Sequence, residues 1–460
     1  MELEDQILNV GPAERFDLNI DSLFRKLNDD TQGTLQKIQH DEKLIKRSPD
    51  DGPLSHLILA NASKALVTPE QEHQLMAKGL IFTQDPWRVV SAPYLKMYNY
   101  QERSDVFEFA NELAANKNID VRFNEKLDGT MIQLFSTVGL GLEEDQVIIT
   151  TRGMIEGWSH KPIDDHQNDN MFDYLGETRR ILKNQSPAVL DPQKIAGLTL
   201  IWEFIHPGSR VVTNYGDRIE VVLTGAVDFR DGSPRYITRS ELESLGEKLG
   251  APVTGEIKLS GNTLEERIDE LAKHLEGTDD EGAVVTFEGK TSDGRPAVLH
   301  RVKIKGAEYL RLMRLFINCT YNQTREYMES DPSLQTWSIF SDFLMKQEVP
   351  EEVLASYKIH FESWTDYRSG CQSILDDTKA AYAKYLARSP MPAREPASDD
   401  YRVWRRDFAQ WIMSNAKPLS WLFFAAADRK LDFAFLNSHL RGCQTELQEA
   451  SEQWQSLSIK

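Results

Sequence analysis

Short apolar stretches separated by turn residues occupy the middle of the chain, from about residue 79 to residue 311. Several are rich in Val, Ile, Leu, Thr or Phe and are bounded by Gly, Pro or Asp, which is typical of β-strands. These stretches are residues 131–135, 147–151, 198–204, 219–227, 283–287 and 298–304. Because only a few scattered helices interrupt them, the pattern predicts an antiparallel-rich α+β domain.

Helix start signals mark these interruptions. Ser104 precedes apolar residues that recur on one helical face. Thr238 with Glu241, and Thr263 with Glu266, have the spacing of a capping box, and a glycine follows each of these two apolar segments. The pattern therefore predicts three helices that begin near residues 104, 238 and 263.

Beyond about residue 311, apolar residues recur at helical spacing and the strand pattern ends. Residues 401–408 interleave cations with aromatic side chains, which suits stacking on nucleic-acid bases. Trp404 and Phe408, four residues apart, equally suit the core of an amphipathic helix, and we favour the core. The expected division is residues 1–70 of unknown role, an α+β domain over residues 71–312 and an all-helical C-terminal domain over residues 313–460.

Composition limits the classes of protein that the chain can belong to. Hydrophobic residues make up 40% and charged residues 27%, and no run of about 18 apolar residues occurs, so no membrane partner is expected. The three cysteines lie far apart, which favours a reducing, cytoplasmic compartment. The formal net charge of −19 argues against non-specific coating of nucleic acid but leaves room for a local basic groove.

The first candidate for chemistry is Lys126, which follows the alternating apolar residues Val121 and Phe123 and precedes Asp128 and Gly129. A lysine at the end of a strand, followed by an Asp-Gly turn, would project its amine into a cleft. A Lys-x-Asp-Gly match arises by chance in roughly one chain of this length in ten. The motif alone therefore does not distinguish a nucleophile from a plain turn.

Further along the chain, other charged residues also lie at the ends of predicted strands, as Lys126 does. Glu203 ends an apolar stretch, Glu281 begins another, and Arg152 lies at a strand end. Lys303 and Lys305 lie on the same face of a strand, because side chains two residues apart point the same way. Each taken singly has an ordinary structural explanation, such as a solvent-facing strand end or an edge strand protected by lysine.

Taken together, these residues fit a single reaction mechanism. An amine that attacks a nucleotide α-phosphate must be unprotonated, and nearby cations such as Lys303, Lys305 and a bound metal ion favour the neutral amine. The same two lysines would stabilise charge that builds on the α-phosphate. Glu281 would supply an oxygen ligand for Mg²⁺ or Mn²⁺, and Glu203 would bond to the ribose hydroxyls.

The order of these motifs resembles that of the covalent nucleotidyltransferases, which comprise DNA ligases, RNA ligases and capping enzymes. Three stretches resemble the phage-type RNA ligase 1 family more closely. They are residues 78–82 with 96–102, residues 203–215, and residues 303–309. The resemblance covers roughly residues 75–312, and it departs from the family at Lys78, where arginine is usual, and at Thr130, where serine is usual.

The resemblance implies a ligase adenylation (nucleotidyltransferase) domain over residues 71–312, with the helical domain as a possible RNA-specificity module. Residues 219–227 would form the floor of the adenine pocket, and Tyr309 would either approach the nucleotide or lie in the core. The implied catalytic residues are Lys126, Lys303 and Lys305, the implied metal ligand is Glu281, and the implied nucleotide contacts are Lys78, Lys96, Asp128, Gly129, Arg152, Glu203, Lys303 and Lys305.

We therefore expect a monomeric, cytoplasmic ATP-dependent RNA ligase (in the host cytoplasm if viral), which joins 5′-phosphate and 3′-hydroxyl RNA ends through a lysyl-adenylate, as in RNA repair. One alternative is a DNA ligase or a GTP-dependent capping-type enzyme, although such enzymes usually carry a β-barrel domain after the lysine pair. Another is a non-catalytic RNA-binding relative, which would be expected to lack one of the charged positions.

Overall fold

A computed structural model describes residues 11, 15–48, 52–62, 69–156, 173–331, 333–347, 349, 351–393, 398–440 and 444–457. The chain divides into two compact units, Met1–Met313 and Arg314–Lys460. The first is a mixed α+β unit built on antiparallel sheets, and the described residues of the second are helical. The α+β class and the helical C-terminal region predicted from the sequence are thus confirmed.

The first sheet lies in the N-terminal part of the first unit. Its antiparallel strands, in spatial order, are β1 (Leu44–Arg47), β2 (Ile58–Ala62), β3 (Lys78–Gln84) and β4 (Trp87–Ser91), and helices α1 (Ile20–Asp29) and α2 (Thr31–His40) precede them. Phe24 of α1 is fully buried and belongs to the same core as Val285 and Val302. The segment before position 70, for which the sequence showed no chemical signal, therefore contributes described residues to the packed core of this unit.

Two further sheets form the rest of the α+β unit. Their strands are β5 (Tyr98–Asn99), β6 (Asp120–Lys126), β7 (Thr130–Ser136), β8 (Val147–Thr150), β9 (Leu198–Ile205), β10 (Glu220–Asp228), β11 (Arg235–Tyr236), β12 (Gly282–Lys290) and β13 (Pro296–Lys305). A five-stranded sheet has the order β11-β10-β9-β7-β8, and a four-stranded sheet has the order β5-β13-β12-β6. Each strand predicted from the sequence is present, within a few residues of its expected ends.

The connection between β6 and β7 joins these two sheets. Lys126 is the last residue of β6 in the four-stranded sheet, and Thr130 is the first residue of β7 in the five-stranded sheet. Within the four-stranded sheet, the antiparallel register aligns Gly282 of β12 with both Lys126 and Lys305. The register therefore brings together two lysines that lie far apart in the sequence.

Helices α3 (Ser104–Ala115), α4 (Tyr174–Gln185), α5 (Arg239–Leu249) and α6 (Leu264–His274) complete the α+β unit. Both predicted capping boxes are present at the starts of α5 and α6. Ser104 is not the capping residue of α3 as predicted, because the extended residue Arg103 occupies that position without a side-chain capping bond. Ser104 is instead the first helical residue.

The second unit contains helices packed around an aromatic core. Together with the segment that leads into it, the helices are α7 (Ala307–Asn318), α8 (Tyr321–Ser330), α9 (Trp337–Lys346), α10 (Glu351–Arg388), α11 (Asp399–Asn415), α12 (Ser420–Ala427), α13 (Phe433–His439) and α14 (Gln444–Ser456). Trp404 and Phe408 are buried in this core, which confirms the core interpretation of residues 401–408. Across the described ranges, no helix has the length and apolar character needed to cross a bilayer.

Candidate active site

A cleft of about 450 Å³ lies between the four-stranded and five-stranded sheets. Its volume is typical of sites that bind small molecules and cofactors. The predicted site residues that line it are Lys78, Lys96, Lys126, Asp128, Gly129, Arg152, Glu203, Glu281 and Lys303. Lys305 is absent from this lining but contacts Glu281 directly, so the structure brings the whole predicted set into one region.

Glu281 joins two of the predicted lysines. Its Oε2 atom lies 2.5 Å from Lys126 Nζ, and its Oε1 atom lies 2.8 Å from Lys305 Nζ. The Glu281 side chain is only 6% exposed, so this pairing compensates a carboxylate that is largely removed from water. Glu281 was predicted as a metal ligand from the sequence, and in this structure both of its oxygens accept from lysines.

The backbone next to Glu281 is fitted closely to strand β13. Gly282 has a φ of +131°, and a Cβ atom at this position would lie 2.1 Å from the carbonyl oxygen of Ile304. Such a contact is shorter than van der Waals packing permits, so a side chain would push β12 away from β13. Glycine at this position therefore lets Glu281 reach both lysines.

Asp128 anchors the turn that follows Lys126. Its Oδ2 atom accepts from the backbone N–H groups of Val212 (2.7 Å) and Thr213 (2.8 Å), and its Oδ1 atom accepts from the Tyr309 hydroxyl (2.8 Å). Its own N–H donates to the Tyr215 hydroxyl. These bonds fix the backbone beside Lys126, and Asp128, which was predicted to contact the nucleotide, also lines the cleft.

The sequence left open whether Tyr309 approaches the nucleotide or lies in the core. The side chain is 2% exposed, so the residue belongs to the core, and its hydroxyl bonds to Asp128 next to the candidate nucleophile. Burial raises the pKa of this hydroxyl, which therefore stays protonated and donates to the carboxylate.

Gly129 and Glu203 meet beneath the same turn. The Gly129 N–H donates to Glu203 Oε1 at 3.1 Å, and a Cβ atom on Gly129 would lie 2.3 Å from the carbonyl oxygen of Phe204. Burial raises the pKa of the Glu203 carboxyl to about 7, and the nearby Lys126 ammonium opposes this shift. Glu203 is therefore a carboxyl that changes protonation state near neutral pH.

Three further cations line another part of the cleft. Lys78 Nζ donates to the carbonyl of Ala62 at 2.7 Å, and Lys96 Nζ lies 4.3 Å from the centre of the Tyr98 ring. Burial lowers the pKa of both lysines, and the charge of Arg152 contributes to the shift at Lys78. Like charges gathered in a partly buried region favour an anionic ligand.

Lys303 is a further cation that lines the cleft. Burial lowers the pKa of its ammonium group to about 8, and the charge of Lys305 adds to the effect. The parallel bridge between β5 and β13 aligns Lys303 with Asn99, which follows Tyr98 in the stretch resembling the family's upstream motif. A phosphate group bound beside Lys303 would restore its full charge.

The sequence interpretation missed several residues that line the cleft. Arg301 is the most prominent, since its side chain is 9% exposed and lies against the rings of Tyr94 and Tyr236. The available signal was its spacing, because Arg301 lies two residues before Lys303 and shares the same strand face. Tyr94 gave no comparable signal, as its position depends on a hydrogen bond to Thr224 across the cleft.

No protein-family model matches the chain, and no curated protein matches it. Solved structures that are similar to it include a candidate ATP-dependent DNA ligase from Aquifex aeolicus, at 12% identity over 83% of this chain and 80% of that one, with a TM-score of 0.36. A variant of an RNA ligase from Naegleria gruberi, solved with ATP and Mn, is 14% identical over 47% of this chain and 56% of that one, with a TM-score of 0.32. The same RNA ligase with PPi is 16% identical over the same shares, with a TM-score of 0.31.

The structural neighbours are thus ATP-dependent DNA and RNA ligases, of which the candidate DNA ligase is matched over most of its length. The match spans little more than half of the Naegleria RNA ligase. Because the identities are below 25% and the TM-scores below 0.5, these likenesses carry no argument about substrate. The function proposed below rests on the geometry of the cleft.

The raised pKa of Glu203 predicts a dependence of stability on pH. Between about pH 4.5 and pH 7 the folded protein keeps a proton that the unfolded chain has released, so the free energy of unfolding falls as the pH rises. Each pH unit in this range lowers the free energy of unfolding by about 1.4 kcal/mol at most, so the total loss is about 3 kcal/mol. Urea unfolding at both pH values should show this loss in the wild type relative to Glu203→Gln; parallel pH profiles would contradict it.

Proposed function

We propose that the chain is an ATP-dependent RNA ligase, which joins 5′-phosphate and 3′-hydroxyl RNA ends through AMP linked to Lys126. The observation that carries the proposal is the pairing of Lys126 and Lys305 on Glu281, inside a cleft lined by further cations. A cleft of this size and charge suits a nucleoside triphosphate, and it contains an amine placed beside an acceptor for its proton.

In the first step, Lys126 attacks the α-phosphorus of ATP. The Lys126 ammonium gives a proton to Glu281 Oε2, which lies 2.5 Å away, and the freed amine forms the N–P bond. The bond from the α-phosphorus to the bridging oxygen breaks. Pyrophosphate leaves with the electron pair and takes up the second proton that the nitrogen loses as it becomes a phosphoramidate. Lys303 and Lys305 stabilise the charge that develops on the α-phosphate oxygens.

The other cleft residues position the nucleotide. Lys78, Lys96 and Arg152 bind its phosphates, and Lys78 does so as a point charge because it lacks the paired donors of arginine. Glu203, which titrates near pH 7, can donate to or accept from a ribose hydroxyl. Asp128 holds the turn after Lys126 in place, so the amine keeps its position relative to the phosphate.

The residues present fit a divalent cation that is bound partly by substrate. Within the described ranges, no group of three or more His, Cys, Asp or Glu side chains is placed to hold a metal ion. Mg²⁺ is usually held through one or two carboxylates together with waters and substrate phosphates. Glu281, when deprotonated, would be that carboxylate for Mg²⁺ or Mn²⁺, and the bound ion would neutralise phosphate charge.

The adenylate then passes through two further transfers. A 5′-phosphate oxygen of one RNA end attacks the phosphorus of lysyl-AMP, the N–P bond breaks, and Lys126 takes back the proton held by Glu281. The 3′-hydroxyl of the other end then attacks the 5′-phosphorus, releases its proton to solvent, and displaces AMP. The same cations serve all three steps because each transfers a phosphoryl group through a charged transition state.

RNA is favoured over DNA and over capping chemistry by the C-terminal unit. The described residues after Met313 form helices and contain no strand, whereas DNA ligases and capping enzymes usually carry a β-barrel after the lysine pair. A non-catalytic RNA-binding protein is disfavoured, because all the charged positions expected of an active enzyme are present and gathered at one cleft.

Substituting the nucleophile is the direct test of the proposal. Wild-type protein incubated with α-labelled ATP and Mg²⁺ should gain one covalent adenylate, and Lys126→Ala should gain none because it has no amine. Lys258→Ala is a matched control, since that lysine is 75% exposed on its side chain and should label at the wild-type rate. A Lys126→Ala variant that still labels or seals RNA would contradict the mechanism.

Glu281→Gln tests the proposed proton transfer. The variant keeps the shape of the side chain but cannot accept the proton, so single-turnover labelling should slow by about 100-fold or more. Glu256→Gln is the control, because that carboxylate pairs with Arg122 and Lys258 instead. A wild-type labelling rate in a normally folded Glu281→Gln variant would exclude Glu281 as the proton acceptor.

The substrate is tested by sealing assays on tRNA halves, linear single-stranded RNA and nicked RNA and DNA duplexes, with ATP compared against GTP in the labelling step. We expect labelling with ATP and sealing of RNA ends. Efficient sealing of nicked DNA with none of RNA would establish a DNA ligase instead. Labelling that requires GTP would establish a capping-type enzyme.

A further inference from the structure

Arg301 lines the cleft, and the function proposed above gives it no role. Its side chain is 9% exposed, and its Nη1 atom has no hydrogen-bond partner among the residues that the structure describes. Arginine stays protonated under all ordinary conditions, so this is a permanently charged and buried group. A buried guanidinium with an unused N–H group is unfavourable unless a ligand completes its bonds.

Two tyrosines stabilise the charge of Arg301 but do not accept a hydrogen bond from its Nη1 atom. The guanidinium carbon lies 4.5 Å from the centre of the Tyr94 ring and 4.0 Å from the centre of the Tyr236 ring. Cation–π contacts stabilise the charge through the faces of the rings. They provide no acceptor for the N–H groups of Nη1, which lie in the plane of the guanidinium, so the tyrosines hold Arg301 in place without using this donor.

The position of Arg301 along β13 indicates which part of a nucleotide it meets. Arg301, Lys303 and Lys305 share one face of the strand, and each step of two residues advances by about 6.6 Å. Arg301 is thus about 13 Å along the strand from Lys305, which pairs with the carboxylate that also holds Lys126. With the α-phosphate beside Lys126, a contact at this distance falls on the base.

The surroundings of Arg301 also suit a base. The cleft that it lines also contains apolar and aromatic side chains, which are Tyr94, Leu95, Met97, Met131 and Val284. A mainly apolar surface with a few convergent polar groups is typical of a pocket that fixes the orientation of a ring.

We propose that Arg301 determines base specificity by donating a hydrogen bond to a ring nitrogen of adenine. Adenine offers acceptors at N1, N3 and N7 and a donor at its amino group, and arginine can only donate, so one of the three ring nitrogens is its partner. This role rests on the proposed use of ATP. It assigns the contact to β13, whereas the sequence had placed the floor of the adenine pocket on residues 219–227.

Analogues of ATP that lack one ring nitrogen test the contact atom by atom. Dissociation constants for ATP and for 1-deaza-, 3-deaza- and 7-deaza-ATP would be measured by calorimetry on the full-length wild type and on Arg301→Met. One analogue should bind the wild type about 10- to 100-fold more weakly than ATP does, the expected effect of losing a hydrogen bond to a charged group. Arg301→Met should bind ATP and that analogue equally.

Two results would overturn the proposal. One is a wild type that binds all three analogues as tightly as ATP, and the other is full discrimination retained in Arg301→Met. If Arg301→Met does not fold, Arg301→Lys keeps a cation beside Tyr94 and Tyr236 with altered donor geometry, and it should show reduced discrimination. A purely structural role would lower the thermal midpoint without changing the ratio of dissociation constants.

Binding is measured with divalent cations removed by EDTA, so that no lysyl-AMP forms, and this outcome is separable from that of the proposed function. A wild type that binds ATP with the predicted discrimination but never forms lysyl-AMP would support the role of Arg301 and refute the ligase mechanism. A wild type that forms lysyl-AMP but binds every deaza analogue as tightly as ATP would support the ligase mechanism and refute the role of Arg301.

Discussion

The carboxylate of Glu281 binds the ammonium groups of Lys126 and Lys305, and the arrangement of the cleft depends on this interaction. Ion pairs removed from water are stable only when the geometry is good and the remaining bonding capacity is filled. Here the register of three strands supplies the geometry, because Gly282 lies level with both lysines. The site is thus a product of sheet pairing rather than of a flexible loop, which suits a centre that must hold reacting atoms in fixed positions.

The cleft contains more positive than negative charge in spite of the acidic composition of the chain. Four carboxylates line it, which are Glu125, Asp128, Glu203 and Glu281. Six cations line it, which are Lys78, Lys96, Lys126, Arg152, Arg301 and Lys303. Burial lowers the pKa of Lys78, Lys96 and Lys303, so keeping these lysines charged is costly without a bound anion. A polyphosphate would remove this cost on binding, and the net charge of −19 over the whole chain would discourage non-specific contact with nucleic acid.

The sequence predicted features whose causes are local. Strand positions followed from apolar composition, and two helix starts followed from capping pairs such as Thr263 with Glu266. The grouping of Lys126, Glu281 and Lys305 was predicted from the order of motifs. What could not be predicted depended on contacts between distant segments, such as the packing of Phe24 beside Val285 or the use of Asp128 to bind backbone two strands away. Arg301 was missed for the same reason, because its burial arises from tyrosines that come from other elements.

Only three residues connect Lys126, at the end of β6, with Thr130, at the start of β7. A chain of this length spans at most about 14 Å, so the two sheets cannot separate far at this point. An adenylate attached to Lys126 would therefore lie where the two sheets are tethered most tightly. Its phosphorus would keep a nearly constant distance from both sheets while successive polynucleotide ends are exchanged.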